Sequence, residues 1–334
     1  MFNYVVRRSL QAIPLLILIS FILFVIVNNA PGGPLGPYLQ NPHITPADIA
    51  RLSRNLGVTP PPGVPGWAWF FVRYFRWLEH VVRGDFGWST SNAEPVFDAI
   101  IQRLPATLLL MGVSFVVALL IGLAAGIFSA VFPYSIWDYI VTVFAFFGQS
   151  MPVFWLGLML QLGFAVNGIP LPFGGYRIGG LPSAGMATLE TFNLGDRIEH
   201  LILPVITLAF LSLALYSRFT RSSMLEVMSA DYMRTAAAKG LPFRTILLKH
   251  GLKNALIPVV TIIAISLPSL IAGAVVTEYI FAWPGMGRLF IEGLQQSDMA
   301  LLMGYLCLIA VLVVFCNLLA DVCYAWLDPR VKYD

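Results

Sequence analysis

The chain has 334 residues, of which 58% are hydrophobic and only 11% are charged. Soluble domains carry about 25% charged residues, so these proportions exclude a water-soluble globular protein. The net charge of +3 is small and spread along the chain, which argues against a nucleic-acid-binding groove. The sequence therefore predicts an all-α integral membrane protein, and nucleic acid is not expected as a partner.

Six long uncharged stretches predict six transmembrane helices, because a helix needs about 20 apolar residues to cross the hydrocarbon layer. We expect them at Leu10–Val27, Leu104–Val131, Asp138–Val166, Leu201–Ser217, Asn254–Phe281 and Ala300–Trp326. The first stretch is too long for the apolar core of a signal peptide, and Asn28 and Asn29 disfavour a cleavage site. Pro258 and Pro268 predict a bend in the fifth helix.

The predicted inner segments are richer in Lys and Arg than the outer ones, which favours cytoplasmic N- and C-termini. This topology divides the chain into two regions. Residues 1–103 hold the first transmembrane helix and a long extracytoplasmic loop. Residues 104–334 hold a five-helix core with a cytoplasmic loop at residues 218–253.

The long outer loop contains two predicted helices. One covers Pro46–Leu56, and the other carries an aromatic stripe at Trp67–Trp77 that also includes Arg73 and Arg76. Such a helix is expected at the membrane surface or packed on the bundle of spans. It serves either as an interfacial anchor or as a surface that binds substrate.

The cytoplasmic loop at residues 218–253 reads as two amphipathic helical pieces with a hinge at Gly240-Leu241-Pro242. Apolar residues recur at helical spacing on both sides of the hinge, beside several Arg and Lys residues. This pattern favours either a helix that docks in a groove of another protein or one that lies on lipid headgroups.

A few polar residues fall at membrane depth, where an ionisable group is by default a candidate for a functional role. Glu278 and Asp321 are the chief acids there, and for each we favour structural pairing or capping over substrate contact. Asp138 reads as a helix-start residue. Residues that could line a polar pathway are Gln149, Ser150, Gln161 and Asn167, together with Glu278. Interhelical hydrogen bonds explain the uncharged members equally well.

The sequence supports no catalytic, cofactor-binding or metal site in this chain. It lacks a GxxxxGK[ST] phosphate loop, a GxSxG nucleophile motif, an HExxH motif and an intramembrane Asp pair. Its four histidines have no ligands at metal spacing. An intramembrane enzyme is therefore disfavoured.

One segment carries a family resemblance. The string Asp231–Leu241, followed by His250–Pro258, resembles the EAA coupling loop of bacterial ABC-importer permeases, in the version typical of the peptide and nickel permease subfamily. Further stretches similar to that subfamily follow the same order along the chain: Arg7–Pro14, Gly84–Gly87, Arg103–Thr107, Pro152–Trp155, Thr277–Gly287 and Leu327–Arg330. The general loop pattern has Glu where Arg234 stands and Pro where Lys253 stands, whereas the peptide-type version resembles this sequence at Arg234.

The resemblance implies a type I ABC-importer permease (MetI-like) core in the bacterial cytoplasmic membrane, translocating di- or oligopeptides by alternating access. It implies as partners a second homologous permease, two ATP-binding subunits that hold ATP and Mg, an extracytoplasmic substrate-binding protein, and membrane lipid. The residues it places in the ATPase-coupling loop are Tyr232, Arg234, Thr235, Ala236, Ala237, Gly240, Leu241, Pro242, Phe243 and Arg244. Gly240 would permit the sharp turn there.

Alternatives stay open. The subfamily also covers nickel chelates, glutathione-like peptides and oligosaccharides as cargo. A stand-alone secondary transporter or channel would be expected to show two inverted halves of similar hydropathy, and the sequence shows none.

Overall fold

A computed structural model of the chain describes residues 2–39, 43–170, 177–188, 193–272 and 274–327. The helices of the first 82 residues are α1 (Phe2–Asn29), α2 (Gly36–Leu39), α3 (Pro46–Asn55) and α4 (Gly66–Val82). Those that follow are α5 (Val96–Val131), α6 (Ile136–Ser150), α7 (Val153–Leu160), α8 (Leu194–Ser229), α9 (Asp231–Ala238), α10 (Phe243–Thr245), α11 (Lys253–Ala272), α12 (Val275–Ile280), α13 (Met286–Gln295) and α14 (Met299–Leu327).

Shorter elements join these helices. A 3₁₀ turn covers Gly33–Leu35, and π-helical turns cover Gln161–Asn167 and Ile246–Leu252. Two small antiparallel hairpins pair β1 (Trp88–Ser89) with β2 (Glu94–Pro95) and β3 (Ile169–Pro170) with β4 (Arg177–Ile178). The regular secondary structure of the described residues is therefore helical apart from these two hairpins, as the composition predicts.

Five helical segments are long and apolar enough to cross a membrane: Val6–Asn29, Val96–Val131, Leu194–Ser229, Phe243–Ile263 and Met299–Asp321. A sixth span forms if Ile136–Ser150 and Val153–Val166 count together, although they are bent by 107° at the break between them. The expectation of an all-α protein with six spans is confirmed in this sense. The predicted motif at residues 328–330 lies outside the described residues.

Two predicted spans differ from the structure in their bounds. The fourth extends in both directions into the 36-residue helix α8, which runs through Pro204. In the fifth, the helical chain begins at Phe243 rather than Asn254, because a π-helical turn joins α10 to α11 without an interruption. That helix ends at Ala272, and α12 is a separate short helix.

The chain folds as two compact units, the first made of Met1–Pro105 with Gly285–Ala325 and the second mainly of Ala106–Pro284. In the first unit, the aromatic helix α4 packs against α1. The buried hydroxyl of Tyr74 lies 2.9 Å from Ser20 Oγ and 3.1 Å from the carbonyl of Ile17. Phe24 contacts α4 through the rings of Phe70, Tyr74 and Trp77. The predicted aromatic helix therefore packs on the first span.

Helix α3 begins as its sequence suggests. The hydroxyl of Thr45 accepts a hydrogen bond from the Asp48 amide at 3.2 Å, and the Thr45 amide donates one to the Asp48 carboxylate at 3.3 Å, which together form a capping box. The Thr45 hydroxyl also donates to that carboxylate at 2.6 Å. These bonds from Thr45 hold the pKa of Asp48 below its ordinary value. The start of this exposed helix is thus fixed locally.

A second core of the first unit surrounds a buried carboxylate. Asp298 Oδ2 accepts hydrogen bonds from Ser89 Oγ at 2.7 Å and from the Ser91 amide and hydroxyl at 2.9 and 2.8 Å. Asp298 Oδ1 accepts from the Leu301 amide at 3.0 Å, which caps the start of α14. Asp298 thus ties the β1 hairpin to α14.

In the second unit, α5 and α8 approach each other closely at two glycines. A Cβ atom on Gly122 would lie 2.8 Å from Tyr216 Cβ, and one on Gly126 would lie 2.6 Å from Thr220 Cβ. Small residues at such positions allow helix backbones in a membrane to pack directly on one another. Helix α8 is the centre of this unit, since α6, α7 and α11 also pack against it.

Candidate functional site

The predicted hinge is a helix stop of a defined kind. The Leu241 amide donates to the carbonyl of Ala236 at 3.4 Å, and the Gly240 amide donates to that of Ala237 at 2.9 Å. This pair of bonds forms a Schellman motif, which requires a left-handed residue after the helix, and Gly240 has a φ of 75°. Pro242 then directly precedes α10 as its N-cap, in extended conformation. Gly240 therefore sets the angle between α9 and α10.

The two pieces of the hinge segment share a small core. Met233 and Ala236 on α9 and Ile246 in the π-helical turn are buried together, with Val227 and Met228 of α8 packed against them. Gly251 lies beside Met233, whose Cε would be 3.3 Å from an added Cβ. The hinge is therefore held against the end of α8.

The outward side of the same segment is both apolar and basic. Tyr232, Leu241, Phe243 and Leu248 are exposed, with Phe243 at 57% and Leu248 at 59%. Exposed basic residues lie among them: Arg234, Lys239, Arg244 and Lys249. We call this set of eight residues the docking face.

The structure places the predicted coupling residues on one segment, and all but one of them are exposed. Ala236 is buried under the hinge, whereas all the others are exposed: Tyr232, Arg234, Thr235, Ala237, Gly240, Leu241, Pro242, Phe243 and Arg244. The π-helical turn at Ile246–Leu252 was not predicted, because its seven residues carry no signal that separates a π turn from an α turn. It makes α11 a direct continuation of the segment.

The third span breaks where two of the predicted pathway residues lie. Helix α6 ends at Ser150, and α7 begins after Pro152, which has no amide hydrogen to continue the helix. Gln149 is exposed, and Ser150 Oγ donates to the carbonyl of Phe146 at 2.8 Å. The Gln161 side chain donates to two carbonyls, those of Ser183 at 2.7 Å and Ile280 at 3.1 Å. These bonds fit the alternative in which Gln161 makes hydrogen bonds within the protein rather than lining a pathway.

Both acids that the sequence singled out have structural partners. Glu278 is fully buried and accepts a hydrogen bond from Thr107 Oγ1 at 2.8 Å. Its burial supports the structural interpretation over contact with a pathway in this conformation. Asp321 pairs with Arg8 at 3.1 Å, and both side chains are partly exposed. The expectation of structural pairing fits both residues.

An ion pair between α6 and α8 was missed. Asp138 is buried and receives two hydrogen bonds of 2.7 Å from the guanidinium of Arg221, in the bidentate geometry that makes such pairs strong. It also accepts from the Tyr134 amide at 3.0 Å. Asp138 is therefore more than a helix-start residue. The available signal was a lone acid between two uncharged stretches, which in a membrane demands a partner.

These features define a class of protein: a multi-pass helical membrane protein in which the bent span and the exposed hinge segment lie in the same unit. Residues 1–111 match the family described as "Binding-prot-dependent transport system membrane comp, N-term". Residues 122–333 match the family described as "Binding-protein-dependent transport system inner membrane component". The chain belongs to this family of inner membrane permease components, which confirms the resemblance drawn from the motifs.

Individual relatives match along their whole length. The chain is 44% identical over 332 residues to the oligopeptide transport system permease protein AppB of Bacillus subtilis, covering 99% of both chains. It is 35% identical over 346 residues to the dipeptide transport system permease protein DppB of Escherichia coli K12, covering 100% of this chain and 99% of the relative. It is 35% identical over 333 residues to the glutathione transport system permease protein GsiC of Salmonella paratyphi A, with both chains fully covered.

Proposed function

We propose that this chain is one of two permease subunits of an ATP-driven importer that carries di- and oligopeptides across the bacterial cytoplasmic membrane. The names of its relatives support a peptide as the cargo, since oligopeptide, dipeptide and glutathione permeases all match the full chain. Nickel chelates and oligosaccharides remain alternative cargo.

The observation that carries the proposal is the docking face. Four large apolar side chains are exposed beside four basic ones on a segment fixed by the Gly240 turn. Exposed apolar groups of this kind typically mark a surface for another protein. A groove in a cytoplasmic ATPase suits it, because an amphipathic helix binds by laying its apolar residues into such a groove.

Coupling follows from the continuity of the helices around this face. The docking face lies on α9, α10 and the π-helical turn, which join α8 on one side and α11 on the other. When two partner ATPases close on ATP and Mg, a docked hinge moves with them. The two long helices then tilt together and switch the pathway between inward-open and outward-open states.

The remaining assignments complete the assembly. A second, homologous permease forms the other half of the pathway, and an extracytoplasmic binding protein delivers the peptide. Both termini of the chain lie in the cytoplasm, and hydrolysis takes place in the ATPases rather than in this chain. The ten residues named above form the ATPase-coupling loop: the nine exposed ones contact the ATPase, and the buried Ala236 packs beneath them.

Reconstitution tests this function directly. The chain is co-purified with the subunits that accompany it and placed in proteoliposomes with ATP inside and binding protein outside. Uptake of labelled alanylalanine, driven by ATP and absent without it, is the expected result. Uptake of a nickel chelate or an oligosaccharide, and not of the peptide, would show that this other compound is the cargo. Transport by the chain alone, driven by an ion gradient, would favour the secondary transporter instead.

A further inference from the structure

A cavity of about 360 Å³ lies between α6 and α8 in the second unit. We call it the α6–α8 groove. Its polar side chains are Thr142 and Gln149 on α6 and Ser217, Arg218, Arg221 and Ser222 on α8, and the rest of its wall is mostly apolar. Its size lies within the range of small-molecule sites, roughly 300–1,000 Å³.

Several of these polar groups have no partner. Within the part of the chain that the structure describes, Thr142, Gln149, Arg218 and Ser222 make no hydrogen bond or ion pair. Thr142 and Gln149 lie in the third predicted span, where an unpaired polar group is costly unless it lines a water-filled cavity or a substrate path. Arg218 and Ser222 line the same groove from α8, just beyond the predicted end of the fourth span. The groove therefore offers unpaired polar groups along its length, which indicates a polar ligand.

The two arginines of the groove differ in their charge balance. Arg221 is held by Asp138 in the bidentate pair, so its charge is compensated. Arg218, one turn earlier on α8, is exposed and has no acid beside it among the described residues. The end of the groove at Arg218 thus carries one free positive charge, which favours a carboxylate or phosphate.

The other end of the groove has the opposite polarity. Helix α6 ends there, and the carbonyl of Gly148 lacks its helical donor because Pro152 has no amide hydrogen. The carbonyl end of a helix carries a partial negative charge, which favours a cation. The amide of Gln149 adds an oxygen acceptor at the same place.

The spacing of the two ends fits a short peptide. Asp138 contacts Arg221, and Gly148 packs against Phe210, so the two helices run antiparallel and Gln149 lies near the level of Phe210. Arg218 is eight residues further along α8, an axial distance of about 12 Å. Two or three extended residues span roughly 7–10 Å, and the Arg218 and Gln149 side chains reach into the remaining distance.

We propose that the α6–α8 groove binds the backbone of a zwitterionic di- or tripeptide, with its carboxylate at Arg218 and its ammonium group at the carbonyl end of α6 beside Gln149. The proposal rests on the proposed peptide transport. A site that holds both termini accepts varied side chains, which then lie along the apolar wall. A phospholipid fits less well, because Gln149 lies about 16 Å from Asp138 along α6, at the depth of acyl chains.

Accessibility of Ser222 tests the groove in the assembled importer. The chain carries S222C, with its three native cysteines replaced by alanine, and is assembled with its partner subunits in nanodiscs. Alkylation by N-ethylmaleimide is timed with and without alanylalanine. At ten times its dissociation constant the peptide is expected to slow alkylation about tenfold. Alanylalanine amide, which lacks the carboxylate, should protect about tenfold more weakly.

Variants at both ends separate the two contacts. R218Q is expected to remove protection by alanylalanine, while R218K retains part of it. Q149L should weaken protection by alanylalanine more than protection by its N-acetylated form, which lacks the ammonium group. R7Q, an exposed arginine on α1, is the matched control and should leave protection unchanged.

The outcomes separate this proposal from the proposed function. Normal uptake of alanylalanine without protection at S222C would overturn the groove and leave peptide transport intact. Alkylation that responds to the phosphatidylglycerol content of the nanodisc but not to peptide would make it a lipid site, which also overturns the proposal. Absence of peptide uptake by the whole importer would instead refute the function on which it rests.

Discussion

The docking face and the region around Glu278 distribute their side chains in opposite ways. At the docking face, Phe243 and Leu248 are more than half exposed. Around Glu278, a carboxylate is fully enclosed, and the indole of Trp283 donates to the carbonyl of Ala106 at 2.9 Å. The carboxylate of Glu278 and the indole of Trp283 find their partners within the chain, whereas the docking face leaves apolar groups for another protein to cover. Substitutions around Glu278 should therefore change stability, and substitutions in the docking face should change transport.

The largest effect on stability is expected from the other enclosed acid, Asp138. Asp138→Asn leaves the guanidinium of Arg221 partly buried without its counter-charge, and breaking such a pair destabilises by about 3–5 kcal/mol. Thermal unfolding of the purified protein in detergent measures this loss. The double variant with Arg221→Gln should recover part of it, because no charge is then left unpaired. An unchanged melting temperature for Asp138→Asn would show that the pair is unimportant.

Gly240→Pro should affect transport rather than folding. Proline cannot adopt the φ of 75° at this position. A proline at an unsuitable backbone position costs about 3 kcal/mol of free energy, which is enough to displace the turn. We expect normal amounts of protein in the membrane and loss of most peptide uptake. Gly63→Pro is the control, since Gly63 also has a positive φ and open space around it but lies in the loop between α3 and α4. Wild-type uptake by Gly240→Pro would refute the coupling assignment.

Thr107→Val tests the enclosed region around Glu278. It removes the hydroxyl that donates to Glu278 at nearly constant shape, and losing a buried hydrogen bond of this type destabilises by about 1–3 kcal/mol. Chemical denaturation in mild detergent reports the change. Thr261→Val, where the hydroxyl bonds only to its own helix at 3.3 Å, should be nearly neutral. Equal effects of the two variants on stability would show that the buried hydrogen bond between Thr107 and Glu278 is not stabilising.

Phe243→Ser tests the exposed side. Because this ring is 57% exposed, its removal should change the free energy of unfolding by less than about 0.5 kcal/mol. Stimulation of the partner ATPases by peptide and binding protein should nevertheless fall clearly. An assembly that retains full stimulation would show that Phe243 does not contact the ATPase.

The smallest effect is expected at the ion pair between Arg8 and Asp321. Both side chains are substantially exposed, at 49% and 32%, and such pairs contribute about 0–1 kcal/mol. Asp321→Asn should therefore leave both melting temperature and uptake close to wild type. A large loss of uptake would instead assign Asp321 a role in transport.

Local chemistry decided which features could be predicted from the sequence. The Gly240 turn and the aromatic helix α4 depend on residues within one or two helical turns of each other. Both could therefore be predicted from the sequence. The pair of Asp138 with Arg221 joins residues 83 positions apart, and Asp298 joins Ser89 across 209. Such pairings depend on how helices meet, which a single sequence does not contain. The coupling and pathway assignments stay predictions.

Helix α8 has a mechanical consequence. Its 36 residues extend over about 54 Å, well beyond the roughly 30 Å of hydrocarbon that a span must cross. A rod of that length amplifies rotation: a tilt of about 10° about one end displaces the other by roughly 9 Å. A rotation of about 10° at the end of α8 that carries the hinge therefore moves the far end by a distance comparable to the width of a peptide chain, and no residue within the helix has to change its conformation.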